Sequence, residues 1–97
     1  MKSKNEILNT LKELKPILEQ NYNITEIGLF GSYSRGEQTE NSDIDILVDH
    51  KNGLTFFKLI DLENLLEKTF NLKVDIAFKK YLKKNIGKNI LSEVAYV

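Results

Sequence analysis

Three aspartates form the clearest chemical pattern in the sequence. Asp43 and Asp45 lie two residues apart in a segment that reads as a strand, and Asp75 lies in a later segment of the same kind. Side chains two residues apart on a strand point to the same face of a sheet. If the apolar faces of both strands pack on helices, the three carboxylates share the open face. Adjacent carboxylates repel each other and raise one another's pKa, so such a cluster needs a cation.

The rest of the composition indicates which cation that would be. The chain has no cysteine and a single histidine, His50, so the available ligands are hard oxygens. Hard oxygen ligands favour Mg²⁺ over zinc. Magnesium bound by two or three carboxylates completes its shell with water and substrate phosphates. Each aspartate alone could be a turn cap or a solvated strand residue, but the three together favour a metal site.

A second pattern lies upstream, where a predicted strand ends in Gly31 and Ser32. Glycine permits close backbone approach to a ligand, and a helix that starts at Ser32 offers free N–H groups and a hydroxyl to a phosphate. Arg35, the only arginine among 14 basic residues, follows one turn later. Arginine binds phosphate in bidentate fashion, although an ion pair with a surface residue such as Glu37 is the alternative. Ten residues separate Ser32 from Asp43.

Hydrophobic periodicity predicts the elements that must position these residues. Ser3 and Glu6 have capping-box spacing at the start of the first helix, and Pro16 predicts a bend or a break near its end. The predicted order is a helix over 4–20, a strand over 24–30, a short helix over 32–38, a strand over 44–50, a helix over 55–70, a strand over 73–79 and a short helix around 86–93. This alternation predicts a small α/β sheet with its helices on one face.

The candidate core consists of the apolar faces of these elements. In the strands the core residues alternate with polar ones, and in the two long helices they recur at helical spacing. The helical stripes are Ile7, Leu8, Leu11, Leu14 and Leu18 in the first helix, and Phe56, Leu59, Ile60, Leu62, Leu66 and Phe70 in the second.

Length and charge exclude several classes of protein. A chain of 97 residues predicts one domain, over 1–97, with no room for a separate acceptor-binding domain. Lys plus Arg and Asp plus Glu both number 14, so the basic excess typical of nucleic-acid binding is absent and no direct nucleic-acid binding is expected. No run of roughly 18 apolar residues exists, so we expect no membrane span. The N-terminus has no apolar signal region, and we expect a cytoplasmic protein.

Three segments of the sequence resemble a known family. The segments GSYSRG at 31–36, SDIDILV at 42–48 and KVDIAF at 73–78 are similar to the nucleotidyltransferase signature of the polymerase-beta superfamily. The resemblance extends to the ending ILSEVAYV, and it is strongest to the minimal nucleotidyltransferases, the MNT antitoxins of HEPN/MNT toxin–antitoxin pairs. It implies the minimal nucleotidyltransferase fold, an α/β (α+β) arrangement with a mixed sheet of three to four strands and helices packed on one face.

The resemblance also implies an activity and a role for each site residue. Family members transfer AMP from ATP to a tyrosine hydroxyl of a HEPN ribonuclease toxin, with which they form a hetero-oligomeric complex. By position, Asp43 and Asp45 would hold two Mg²⁺ ions, and Asp75 would share one of them and help to deprotonate the attacking hydroxyl. Gly31 and Ser32 would hold the triphosphate, and Arg35 falls at the basic position that often follows.

Two other functions fit the same residues. The chain could transfer a nucleotide to a small molecule or to RNA, with acceptor recognition supplied by another chain. It could instead be a non-catalytic antitoxin that neutralises its partner by contact alone. The intact aspartate triad argues against this last function, because an unused carboxylate cluster costs stability through repulsion.

The sequence leaves three features open. A lysine-rich run over 79–88 is either a solvated helix face or a contact for RNA or an acidic partner. Tyr33 either covers the nucleotide or packs at the sheet edge. The apolar tail over 94–97 belongs either to the core or to a partner contact.

Overall fold

The computed structural model describes residues 2–97, which form four helices and four strands. The elements are α1 (Lys4–Tyr22), β1 (Ile24–Phe30), α2 (Gly31–Arg35), β2 (Ile44–His50), α3 (Phe56–Phe70), β3 (Val74–Phe78), a single 3₁₀ turn (Lys79–Tyr81), α4 (Lys84–Glu93) and β4 (Ala95–Tyr96). None of the helices in the described part of the chain is both long enough and apolar enough to cross a bilayer.

The ends of α1 are set by local hydrogen bonds. Ser3 and Glu6 form the predicted capping box, in which each side chain accepts a hydrogen bond from the other residue's backbone N–H. Of the bend or break predicted at Pro16, the break is wrong, because the helix continues to Tyr22. An interior proline removes one backbone hydrogen bond. The buried residues of α1 nevertheless continue past Pro16 to Leu18, whose packing supports this part of the helix. The helix ends at Tyr22, and Asn23 caps it in a left-handed conformation with φ of 55°.

The four strands form one mixed sheet in the order β3-β2-β1-β4. β1 pairs antiparallel with β2 and with β4, and β2 pairs parallel with β3. The tail that the sequence left open supplies β4, in which Ala95 lies opposite Leu29 and Tyr96 opposite Gly28. A side chain at Gly28 would lie 2.6 Å from the Val94 side chain, so this glycine lets the tail close onto the sheet.

One face of the sheet packs on α1 and α3. The buried residues on this side are Ile7, Leu11 and Leu18 of α1, Ile27 and Leu29 of β1, Ile44, Ile46 and Val48 of β2, and Leu62, Leu66 and Phe70 of α3. Phe56 and Ile60 were predicted in this core but are 65% and 41% exposed. The buried residues of α3 are Leu62, Leu66 and Phe70, which lie four residues apart. At 3.6 residues per turn, Ile60 lies roughly a third of a turn away from the centre of this buried row, so its side chain is directed away from the core.

Candidate active site

Asp45 and Asp75 lie side by side in the sheet. In the parallel pairing of β2 and β3 these two residues are direct partners, and on its other side Asp45 pairs with Phe30 at the end of β1. Asp43 lies just before β2, with its carboxylate 3.8 Å from the Lys73 ammonium. The alternation of β2 therefore places Asp45 on the face opposite the core at the point where β1 ends.

The Asp45 carboxyl is in an electrostatically unfavourable position. Partial burial, reinforced by the charges of Asp75 and Asp43, raises its pKa from an ordinary 3.8 to about 6, and Glu93 adds to the effect. The positive charge of Arg35 opposes these contributions but does not cancel them. Burial and the neighbouring carboxylates therefore both disfavour the ionised form of Asp45.

The donor atoms of these residues and their accessibility decide whether the residues fit a divalent cation. Within residues 2–97, no three acidic or imidazole side chains converge into a ready-made metal cage. Asp75 is exposed and Asp43 is partly exposed, so both carboxylates are accessible to an incoming ion. The donors are all carboxylate oxygens, which suit Mg²⁺, an ion that keeps several water or phosphate ligands. The chemistry and the accessibility of these donors therefore fit Mg²⁺.

Gly31 brings the turn after β1 directly against Asp45. Its φ of 75° lies in the left-handed region, which is strained for any residue with a side chain. A Cβ atom at this position would collide with Oδ2 of Asp45. Glycine is therefore required both by the backbone conformation and by the close approach of the turn to the carboxylate.

Gly31 is the first residue of α2, which ends at Arg35 and is shorter than the predicted helix over 32–38. Gly36 caps the end of this helix with a φ of 73°. Ser32 is partly buried, and its carbonyl oxygen accepts a hydrogen bond from the Glu37 N–H at 2.9 Å. Tyr33 is only 2% exposed and belongs to the hydrophobic core. Of its two predicted roles, packing is the one that the structure supports.

Arg35 is bound by two glutamates. Its Nε donates to Glu37 at 3.2 Å, which is the ion pair considered from the sequence, and its Nη1 donates to Glu93 at 2.8 Å. These two bonds use only part of the N–H fork of the guanidinium, so other donors remain for a phosphate. These bonds hold Arg35 next to Glu93, and its side chain is still 45% exposed.

Glu93, the last residue of α4, is a site residue that sequence reasoning missed. One carboxylate oxygen accepts from the Gly31 N–H at 3.3 Å, and the other accepts from Arg35. The Ser34 hydroxyl donates to the Glu93 main-chain oxygen at 2.6 Å. The only signal in the sequence was an acidic residue inside the ending ILSEVAYV. Nothing local to that segment indicated a contact with residues near position 31.

The lysine-rich run is partly engaged within the fold. Lys79 donates to the Glu26 carboxylate at 3.2 Å, and Lys80 donates to Asp49 at 2.8 Å. The remaining lysines of the run, Lys83, Lys84 and Lys88, are exposed. At least two of its five charges therefore serve intramolecular ion pairs.

Comparison with known proteins places this site in a family. The family model for the nucleotidyltransferase domain matches residues 11–97. The protein adenylyltransferase MntA of Thermococcus cleftensis is 46% identical over 92 residues, which cover 95% of this chain and 93% of that protein. The match therefore spans almost the full length of both proteins.

Solved structures share the fold. A toxin–antitoxin structure with AMP-PNP matches with a TM-score of 0.73 and 27% identity over 88% of this chain and 69% of the other. A structure of the tri-AMPylated HEPN toxin of Shewanella oneidensis in complex with its MNT antitoxin matches with a TM-score of 0.60 and 22% identity, over 96% of this chain and 66% of the other. The predicted fold is confirmed, and the chain belongs to the nucleotidyltransferase domain family.

Proposed function

We propose that this chain is an antitoxin that transfers AMP from ATP to a tyrosine hydroxyl of a HEPN-family toxin. The observation that carries the proposal is the pairing of Asp45 with Asp75 directly beside the Gly31 turn. This arrangement puts a group of carboxylates next to a turn at which a triphosphate can lie. The similarity to MntA and to the AMPylated toxin complex supports the choice of nucleotide and acceptor.

The aspartates have the role of holding metal in this proposal. Asp43, Asp45 and Asp75 would bind two Mg²⁺ ions. When bound, magnesium neutralises triphosphate charge and lowers the pKa of a hydroxyl that it binds.

The same proposal gives other residues the role of positioning the nucleotide, and it gives Asp75 the role of removing the proton of the acceptor hydroxyl. Gly31 and Ser32 hold the triphosphate, and Arg35 donates to its oxygens through the N–H groups that the glutamates leave free. The acceptor hydroxyl oxygen forms a bond to the α-phosphorus, the bond between that phosphorus and the bridging oxygen breaks, and pyrophosphate leaves. Asp75 helps to remove the hydroxyl proton. Holding the reacting atoms in line supplies much of the rate enhancement.

A second chain supplies the acceptor in this proposal. The nucleotidyltransferase family model matches residues 11–97, and we infer that residues 1–97 form a single nucleotidyltransferase domain. A protein partner that presents its own tyrosine provides the acceptor and its recognition together, in a hetero-oligomeric complex. Because the reaction consumes ATP, we place it in the cytoplasm. The zero net charge gives no reason to include nucleic acid among the ligands.

The test is the intact mass of a HEPN-family partner after incubation with this chain, ATP and Mg²⁺. We expect the mass to increase by one or more AMP units, and we expect no increase with the Asp43→Asn variant. A partner that binds this chain but keeps its mass would favour a contact-only antitoxin. A partner that neither binds nor changes mass would favour a small-molecule or RNA acceptor.

A further inference from the structure

Glu93 connects α4 to three residues of α2. Its two carboxylate oxygens are divided between the Gly31 N–H and the Arg35 guanidinium, and its main-chain oxygen accepts from the Ser34 hydroxyl. The single residue at the end of α4 therefore fixes the first residue of α2, its last residue and one between them.

We propose that Glu93 is a positioning residue for nucleotide binding, which holds the Gly31 turn and Arg35 in the arrangement that receives the phosphates. This inference rests on the proposed function, because Gly31 and Arg35 are the phosphate-binding residues in that proposal. Glu93 acts through them, since its own negative charge would repel a triphosphate.

A comparison with Glu37 separates this role from that of an ordinary surface ion pair. Both glutamates bind Arg35, but the Glu37 side chain is 61% exposed and the Glu93 side chain only 21%. Exposed ion pairs contribute little because water and salt screen them. Glu93 is better shielded, and it also binds the backbone of the turn that lies against Asp45.

The test compares Glu93→Gln with the matched control Glu37→Gln. Glutamine keeps the size of the side chain and an oxygen for the Gly31 N–H, but it removes the charge that holds Arg35. The first measurement is the Kd for AMP-PNP with Mg²⁺, which needs no acceptor. We expect a roughly tenfold weaker Kd for Glu93→Gln, the order expected for loss of one charge-assisted hydrogen bond. For Glu37→Gln we expect a change below about twofold.

The second measurement tests whether Glu93 acts through Arg35. In an Arg35→Ala background, Glu93→Gln should change Kd by less than about twofold, because coupled residues give non-additive effects. Where transfer is measured, the variant should raise KM for ATP by a similar factor to Kd and leave kcat nearly unchanged. If Glu93→Gln does not fold, Glu93→Asp provides the same test, since the shorter side chain cannot reach both partners.

The outcomes separate this inference from the proposed function. A lower melting temperature of Glu93→Gln with an unchanged Kd would show a structural role and overturn the inference. An equal effect of Glu93→Gln with and without Arg35 would also overturn it. A wild-type chain that binds AMP-PNP but modifies no partner would contradict the proposed function, while the Kd comparison would still decide the role of Glu93.

Discussion

Asp45 of β2 and Asp75 of β3 are direct neighbours in a parallel pair of strands, and the charge of Asp75 adds to the burial that raises the pKa of Asp45. This relationship is unfavourable for the isolated chain, because two carboxylates and the nearby Asp43 repel one another. In the proposed function, a Mg²⁺ ion would bind both carboxylates and offset this repulsion. The stability of the chain and its activity should therefore respond in opposite directions to the loss of these charges.

The first prediction concerns activity. Replacing Asp43 or Asp45 by asparagine should reduce AMP transfer by more than about a hundredfold, because an amide replaces a charged metal ligand. The fold should remain intact, since neither carboxylate is in the hydrophobic core. Transfer is measured by the partner's intact mass, and folding by circular dichroism. Full activity of either variant would contradict the assignment of the site.

The second prediction concerns pH and stability without metal. The Asp45 pKa is about 6 in the folded chain against an ordinary 3.8, so between these values the folded chain binds more protons than the unfolded chain. The contribution of this group to stability therefore falls as pH rises through that window. Compared with wild type, Asp45→Asn should melt at a higher temperature at pH 7 in EDTA, and this difference should disappear near pH 3.5.

Melting curves at both pH values measure this effect, and the difference between variant and wild type removes the contribution of other titrating groups. Asp61→Asn is a suitable control, because Asp61 lies exposed on α3. A gain for Asp45→Asn that is the same at pH 7 and pH 3.5 would contradict the electrostatic explanation.

The third prediction concerns magnesium. A ligand that binds only the folded state raises its stability by mass action, so Mg²⁺ should raise the melting temperature of the wild-type chain at pH 7 by a few degrees. The increase should be absent in Asp45→Asn. An equal increase in both proteins would indicate a nonspecific salt effect, which the same ionic strength of NaCl would reproduce.

Much of the framework that holds the site could be predicted from the sequence. The predicted strands over 24–30 and 44–50 are confirmed at both ends. Turn residues flank both segments, and apolar residues recur at every second position at Ile27 and Leu29 and at Ile44, Ile46 and Val48. That alternation placed Asp45 on the face opposite Ile44 and Ile46, as the burial of these isoleucines shows.

The features that could not be predicted from the sequence, β4 and the role of Glu93, depend on contacts between distant segments. β4 has two residues, which is too short for any periodic pattern, and it forms only because Gly28 leaves space for it. Glu93 lies shortly before β4, and its carboxylate accepts a hydrogen bond from the Gly31 N–H. Such contacts span about sixty residues, and propensity and periodicity describe only local preferences.

The fourth prediction uses two glycines with nearly the same backbone conformation. Gly31 and Gly36 have φ values of 75° and 73°, so alanine costs roughly 1 kcal/mol of backbone strain at either position. At Gly36 a Cβ would meet no atom within 4 Å, whereas at Gly31 it would collide with Oδ2 of Asp45. Gly31→Ala must therefore move the Asp45 carboxylate or the turn, and Gly36→Ala need not.

We therefore expect Gly36→Ala to lower stability slightly and to retain AMP transfer within about threefold of wild type. Gly31→Ala should lose transfer by more than about a hundredfold, because a shift of about 1 Å at a reacting group is enough for such a loss. Thermal melting measures the strain common to both variants, and the partner's intact mass measures transfer. If both variants lost transfer equally, backbone strain in α2 rather than the contact between Gly31 and Asp45 would control the activity.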